Sequence, residues 1–364
     1  MLNIIASDLP RIMNCNGSIS MGESHPPIES NDETKNEGTA VHWLAQQVLT
    51  KKFTAEELVD RKSENGVFIT PEMVEHLEEY LNSTLPNSEI EFETSHGGDN
   101  WQINGRADRI SYVEAGGHLL IDELKYGWRI VEPEMNWTLI SHAISFVVRN
   151  PELKINMITF TIYQPRPYHP EGKVRSWRIG IGDLTELINK LNETLNSPSE
   201  TLNTGDHCHY CPAMAVCPAA RKAQMNAIEA THKAFRDDID NDNLSFQLDH
   251  LKRASQVIKE MEKAYNELAL YRLTKGQIIQ NYALEKELSN RQWKEDITPE
   301  FLEMMTGKNL TKKQLITPKQ AENEGVPKEF VEALTERRNK GVKIVRMDAN
   351  TKAKKLFNQP KRGN

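Results

Sequence analysis

The chain has 364 residues, 38% apolar and 27% charged, with a formal net charge of −7. That apolar share lies below the ~45–50% of an average soluble domain, and no run approaches the ~20 consecutive apolar residues of a membrane-spanning helix. Four cysteines, no Gly-X-Y period and no low-complexity run argue against the disulfide-rich, collagen-like and wholly disordered classes.

At ~150 residues per domain, this length suggests two structural units, or one large domain with appendages. Met1 to Cys15 has no basic flank followed by an apolar run. The expectation is a cytoplasmic protein with no signal peptide and no membrane partner.

Residues 20–36 read as a loop. Glu37 to Leu49 places Val41, Leu44, Ala45 and Val48 on one helical face. Thr70-Pro71-Glu72 is a helix start, with an N-cap Thr and Pro at the first helical position, running to about Asn82. Ile90 to Thr94 alternates as a strand, and Trp101 to Val113 reads as a candidate strand pair. Gly116-Gly117 is a turn before a strand at His118 to Lys125. A helix at Glu134 to Val148, strands at Ile155 to Gln164 and Val174 to Ile179, and a helix at Asp183 to Leu195 follow. This order predicts an α/β domain over residues 1–225, with a mixed central sheet flanked by helices.

Residues 226–364 read as a mostly helical C-terminal region. Leu244 to Leu273 is one amphipathic helix, read as a packing helix rather than a coiled-coil partner site, stopping before Gly276. Leu310 to Val326 and Pro327 to Arg338 are short helices. From Arg337 onward there are ten Lys and Arg against one acid, Asp348. Such a tail is either a solvated face or a non-specific contact for phosphates.

Three cysteines cluster as Cys208-x2-Cys211-x5-Cys217, and the fourth, Cys15, lies 193 residues earlier. Four thiolates are the number that closes a tetrahedral zinc site or holds a [4Fe–4S] cluster. Structural zinc more often uses two C-x2-C knuckles. One knuckle, a wider step and a remote ligand suit the larger iron–sulfur cluster better, with Zn²⁺ as the alternative. His207 and His209 are substitute ligands, ranked below the thiolates. Such a site staples the first segment of the domain to its last and contributes folding free energy.

The middle strands carry an acidic constellation. Asn104-Gly105-Arg106-Ala107-Asp108-Arg109-Ile110 reads as a turn that places an Asp in a β-like segment. About ten residues on, Leu120-Ile121-Asp122-Glu123-Leu124-Lys125 ends a strand. Side chains alternate across a strand, so Glu123 and Lys125 share one face and Asp122 points to the other. Two carboxylates with a lysine are the equipment for binding Mg²⁺ and hydrolysing a phosphodiester. His42, behind Glu37-Gly38-Thr39, is a candidate third ligand. The plain alternatives are a surface salt bridge for Glu123 and Lys125, and a core histidine for His42.

Taken together, Cys15, His42, Asp108, Glu123 with Lys125, and Cys208, Cys211 and Cys217 resemble the RecB-type branch of the PD-(D/E)XK nucleases. Members of that branch with an iron–sulfur staple include the AddB nuclease domain and the CRISPR-adaptation exonucleases. More closely, the chain is similar to a phage and prophage family catalogued as domain of unknown function 2800. The stretches that carry this are Glu37 to His42, Lys125-Tyr126-Gly127, Gln164-Pro165-Arg166 and the cysteine triplet.

The resemblance implies a restriction-endonuclease-like core and a metal-dependent DNA exonuclease in phage recombination or replication. It implies that His42, Asp108 and Glu123 bind Mg²⁺ or Mn²⁺, and that Asp108, Glu123 and Lys125 are catalytic. It assigns Cys15, Cys208, Cys211 and Cys217 to the [4Fe–4S] cluster. DNA is the implied partner, and a single-strand annealing protein is an expected one, in a bacterial or phage-infected cell. The family's Q-x-x-x-Y motif is replaced here by Thr138 and His142. The second reading is therefore a catalytically weak or inactive DNA-binding or scaffold protein with a structural metal cluster.

Overall fold

The computed structural model describes residues 1–25, 33–197, 199–233, 240–279 and 282. The chain divides into two units, Met1–Glu285 and Lys286–Asn364, and the described residues all belong to the first. The expected helices after residue 310 and the basic tail lie outside them.

The N-terminal part runs β1 (Leu2–Ile5), α1 (Leu9–Asn14), α2 (Ser18–Ser24), α3 (Glu33–Leu49) and α4 (Pro71–Asn82). Then come β2 (Glu89–Gly97), β3 (Trp101–Val113), β4 (His118–Leu124), α5 (Trp137–Arg149), β5 (Met157–Tyr163), β6 (Val174–Gly180) and α6 (Ile181–Asn196). Two short 3₁₀ turns carry the cysteine triplet, followed by α7 (Pro218–Lys233) and α8 (Asn241–Thr274). No helix among the described residues is long and apolar enough to cross a membrane.

The fold is mixed α/β. The sheet order is β1-β3-β4-β5-β6, with β2 also on β3. β2 runs antiparallel to β3 from Gln102 to Ile110, which occupies one edge of β3. β1, in parallel at Trp101 to Asn104, and β4, antiparallel at Arg109 to Val113, therefore share the other edge. β4 and β5 are parallel, joined through α5, and β6 closes antiparallel on β5.

Each face of the sheet is covered. Leu119 and Ile121 of β4 and Ile158, Phe160 and Ile162 of β5 pack with α1, α5 and α6. Leu124 and Tyr163 belong to the opposite core, formed with α3 and α4. That second core encloses Arg109, whose guanidinium pairs with Asp122 at 2.9 Å and donates to the Tyr80 carbonyl at 2.6 Å. Buried charge is tolerated there because every limb has a partner.

Several expected elements hold. Thr70 caps α4, its hydroxyl accepting from the Met73 N–H at 3.3 Å. Gly117 turns with φ +62, and a Cβ there would lie 2.1 Å from the Lys154 carbonyl oxygen. Others need correction. Residues 20–36 are not one loop: α2 ends at Ser24 and α3 begins at Glu33. Trp101 to Val113 is one strand, not a pair, and Asn104 to Ile110 is not a turn. Three partner strands hold it straight, a tertiary effect that local turn residues do not reveal.

β3 does carry an irregularity. Ala107 and Ile110 both join the core under α5, three residues apart where strict alternation allows only even steps. Asp108 lies in that shift. On β2 the partner position is Glu91, whose φ is +55 and which has no ladder pair between Ile90↔Arg109 and Phe92↔Ala107.

Candidate functional site

Four elements deliver side chains to this break. α3 brings His42, β2 Glu91, β3 Asp108, and the end of β4 brings Glu123, followed by Lys125. One donor atom from each of His42, Glu91 and Asp108 lies within 4.8 Å of the others, the one such group of three among the described residues. His42 Nδ1 is 3.2 Å from Asp108 Oδ1. The second Asp108 oxygen accepts from the Leu124 N–H at 2.7 Å, which ties it to β4. Lys125 Nζ donates to Glu123 Oε1 at 2.5 Å. Glu123 Oε2 is buried, with no hydrogen-bond partner among the described residues.

The electrostatics describe a site short of positive charge. Burial pushes the Glu123 carboxyl up, and the charge of Asp108 pushes it further, against the pull of Lys125. Glu91 is raised by the same pair of causes, burial and then Asp108. Burial alone would raise Asp108 too, but His42, Lys125 and the Leu124 N–H hold it below its ordinary value. Burial would lower His42, and Asp108 reverses that. Burial would also lower Lys125, and the carboxylates of Glu123 and Asp108 keep it above its usual value, a charged ammonium.

Strand alternation places the neighbours as expected. Asp122 faces the opposite core and is committed to Arg109, so Glu123 shares the Lys125 face. Gly105, three residues before Asp108, has to be glycine. A Cβ there would lie 2.7 Å from the Ala6 methyl and 3.0 Å from His142 Cε1. His142 is buried beneath it, its Nδ1 3.0 Å from Thr94 Oγ1, and burial lowers it to about 4. Thr138 bonds to the Ala6 carbonyl at 3.4 Å. Of the two residues at the replaced motif, His142 is buried in the packing of α5 and Thr138 is half-buried.

Glu91 is the residue that sequence reasoning missed. Ile90-Glu91-Phe92-Glu93 alternates like any half-exposed strand, and nothing local distinguishes Glu91 from Glu93. Glu91 also pairs with Arg106 at 2.6 Å.

The four cysteines line one cavity, together with Arg11, Asn203 and His207. Cys15 stands directly after α1, and Cys208, Cys211 and Cys217 stand on or beside the two 3₁₀ turns. The Asn203 N–H reaches Cys15 Sγ at 3.4 Å. Hydrogen bonds to Cys15 and then Cys208 hold the His207 imidazole up at about 10. His209 points elsewhere, to Glu260 of α8. All four thiols are free of disulfides.

A family model described as "Protein of unknown function (DUF2800)" matches residues 3–349. No curated protein matches the chain. Among solved structures the chain is similar to one described as "Crystal structure of SSO0001", at 18% identity and a TM-score of 0.29, over 60% of this chain and 87% of that one.

Proposed function

The chain belongs to the DUF2800 family, and we propose that it is a metal-dependent DNA nuclease, an exonuclease of phage recombination or replication. One observation carries this reading. Buried Glu123 Oε2 has no hydrogen-bond partner among the described residues and feels the charges of Asp108 and His42, whose donor atoms converge with that of Glu91. A buried carboxylate oxygen without a donor costs stability unless a cation completes it.

The donor set fits a hard divalent cation. Carboxylates suit Mg²⁺ or Mn²⁺, and one imidazole adds a nitrogen that first-row metals accept. His42, Asp108 and Glu91, whose donor atoms lie within 4.8 Å of one another, would hold the ion, with Glu123, outside that group, as a further donor. The ion would supply Lewis-acid stabilisation of charge on the phosphate.

The chain's own residues do the rest. Lys125 Nζ donates to Glu123 Oε1 at 2.5 Å, which places its ammonium at the site as a donor. It would orient the attacking water and neutralise charge developing on a phosphate oxygen. Asp108 is fixed by the Leu124 N–H through one oxygen, so the other is already aimed at His42 before substrate arrives.

The cysteine cavity supports a [4Fe–4S] staple. All four thiols line it, the number such a cluster takes, and one C-x2-C knuckle with a wider step and a remote fourth thiol suits that cluster better than one zinc ion.

The test is cleavage of end-labelled single- and double-stranded DNA by anaerobically purified protein with Mg²⁺ or Mn²⁺, beside Asp108→Asn. Cleavage that disappears in the variant supports the nuclease. A folded, metal-replete protein that leaves every DNA intact sinks it. That outcome would favour a DNA-binding or scaffold role, the reading supported by the burial of His142 at the replaced motif.

A further inference from the structure

Beyond Lys125 the chain enters a loop that carries an exposed indole. Trp128 is 63% exposed, which is unusual for the largest apolar side chain in a braced segment. Its backbone is not free to move. The Gln164 amide, itself buried, donates to the carbonyl before Trp128, Gly127 O at 3.0 Å, and to the one after it, Arg129 O at 2.6 Å. Its oxygen accepts from the Val131 N–H at 3.1 Å and from Arg175 at 2.8 Å. One side chain thus holds the carbonyls of the residues on either side of Trp128.

The ring is also backed from one side. The Arg166 guanidinium lies 5.3 Å from the Trp128 ring centroid and 3.9 Å from that of Tyr126. Glu37 holds Arg166 at 2.6 Å. Trp128 therefore has a cation over its ring and leaves most of its surface to solvent. It is also close to the chemistry. Three residues of extended chain span at most ~11 Å, so Trp128 stays within that reach of Lys125.

We propose that Trp128 is a stacking platform for an unpaired base next to the scissile phosphate, so that single-stranded DNA or a frayed end is the substrate. This rests on the nuclease reading above. A rigid aromatic face beside a cationic centre is the combination that single-strand binders use, because every base has a π-face and the backbone needs positive charge. Bases inside a duplex are paired and stacked on one another, so none is free to cover a ring standing beside the backbone. The rigid loop matters here: an indole already held in place loses little freedom when a base lands on it.

The experiment uses the full chain with Ca²⁺ in place of Mg²⁺, so that binding is read without turnover. Trp128→Ala and Trp128→Phe are compared with wild type by fluorescence anisotropy, on a labelled oligothymidine and on a blunt duplex. Melting temperatures show that each variant is folded. The platform predicts that Trp128→Ala weakens single-strand binding about 10- to 100-fold. Trp128→Phe should retain most of it, and duplex binding should change less than 2-fold. Equal single-strand affinity in Trp128→Ala and wild type would overturn the proposal, as would equal losses on both DNAs. If wild type cleaves DNA yet Trp128→Ala binds normally, only the platform fails. If wild type neither binds nor cleaves any DNA, the nuclease reading fails with it.

Discussion

Glu91 stands opposite Asp108 across the single break in the β2–β3 ladder, with a backbone φ of +55 that non-glycine residues seldom adopt. Strain of this kind clusters at functional sites, where it is stabilised by its surroundings. Here it lets two acidic side chains and His42 bring donor atoms within 4.8 Å of one another. A regular pleat would send Asp108 and its neighbours to fixed alternate faces. The shift in β3 between Ala107 and Ile110 places Asp108 where both α3 and β4 can reach it.

Glycine accepts positive φ freely, so replacing Glu91 separates its two roles. Glu91→Gly should keep or raise the melting temperature, because about 1 kcal/mol of backbone strain is released. The lost pair with Arg106 matters little, since that arginine is 64% exposed. Cleavage should fall about 10- to 100-fold, the range seen when a supporting ligand is removed. Glu91→Gly cleaving at the wild-type rate would leave Glu91 as no more than an anchor for Arg106.

Lys125 and Glu123 should behave as a pair. Lys125→Ala should abolish cleavage, and it leaves Glu123 buried without its cation. In metal-free protein the stability loss should be about 2 kcal/mol, below the ~3–5 kcal/mol of an enclosed pair because Lys125 keeps a third of its side chain in water. Adding Glu123→Gln should restore most of the stability and none of the activity. Chemical denaturation of the single and double variants checks this. A double variant no more stable than Lys125→Ala would mean that the pair does not carry that energy.

What was legible in the sequence was local. The cap at Thr70 with Pro71, the glycine turn before β4, and the alternation that separates Asp122 from Glu123 all depend on neighbours a few residues apart. That Cys15 lines one cavity with the triplet was legible for a different reason, the count of four thiols in the chain. β1 was not, because four residues give no period and their partner lies about a hundred residues on, at Trp101 to Asn104. Glu91 was invisible because the break belongs to two strands at once. Gly105 could be flagged as part of a motif, but its cause is contact with Ala6 and His142, from two other elements.

The proposed cysteine staple makes a prediction that packing alone does not. Cys208 is buried, whereas Cys217 is only partly so. If the four thiols were packing groups, Cys208→Ser would hurt more than Cys217→Ser. If they share one cluster, each substitution should lower stability by a similar amount. Releasing a loop this long should cost on the order of 4 kcal/mol, about 10 °C in melting temperature. The anaerobically purified wild type should be brown, and both variants colourless. A colourless wild type carrying one zinc per chain would replace the iron–sulfur cluster with the smaller ion.

Two buried histidines set the acid limit. His96 has both ring nitrogens buried without a partner among the described residues, and burial lowers it to about 4. His142 is lowered to about 4 as well, with burial as the main cause. Their folded values lie below the unfolded one of ~6.5, so the unfolded chain binds more protons and stability rises with pH. Their contribution is fully present above pH ~6.5 and is lost as pH falls from there towards 4. At pH 5 each histidine should withdraw about 2 kcal/mol. His96→Phe keeps a ring beside Trp101 and removes one proton site. It should lose about half as much stability as wild type between pH 7.5 and pH 5, measured from urea midpoints. Identical losses in the two proteins would mean that His96 is already protonated in the folded state.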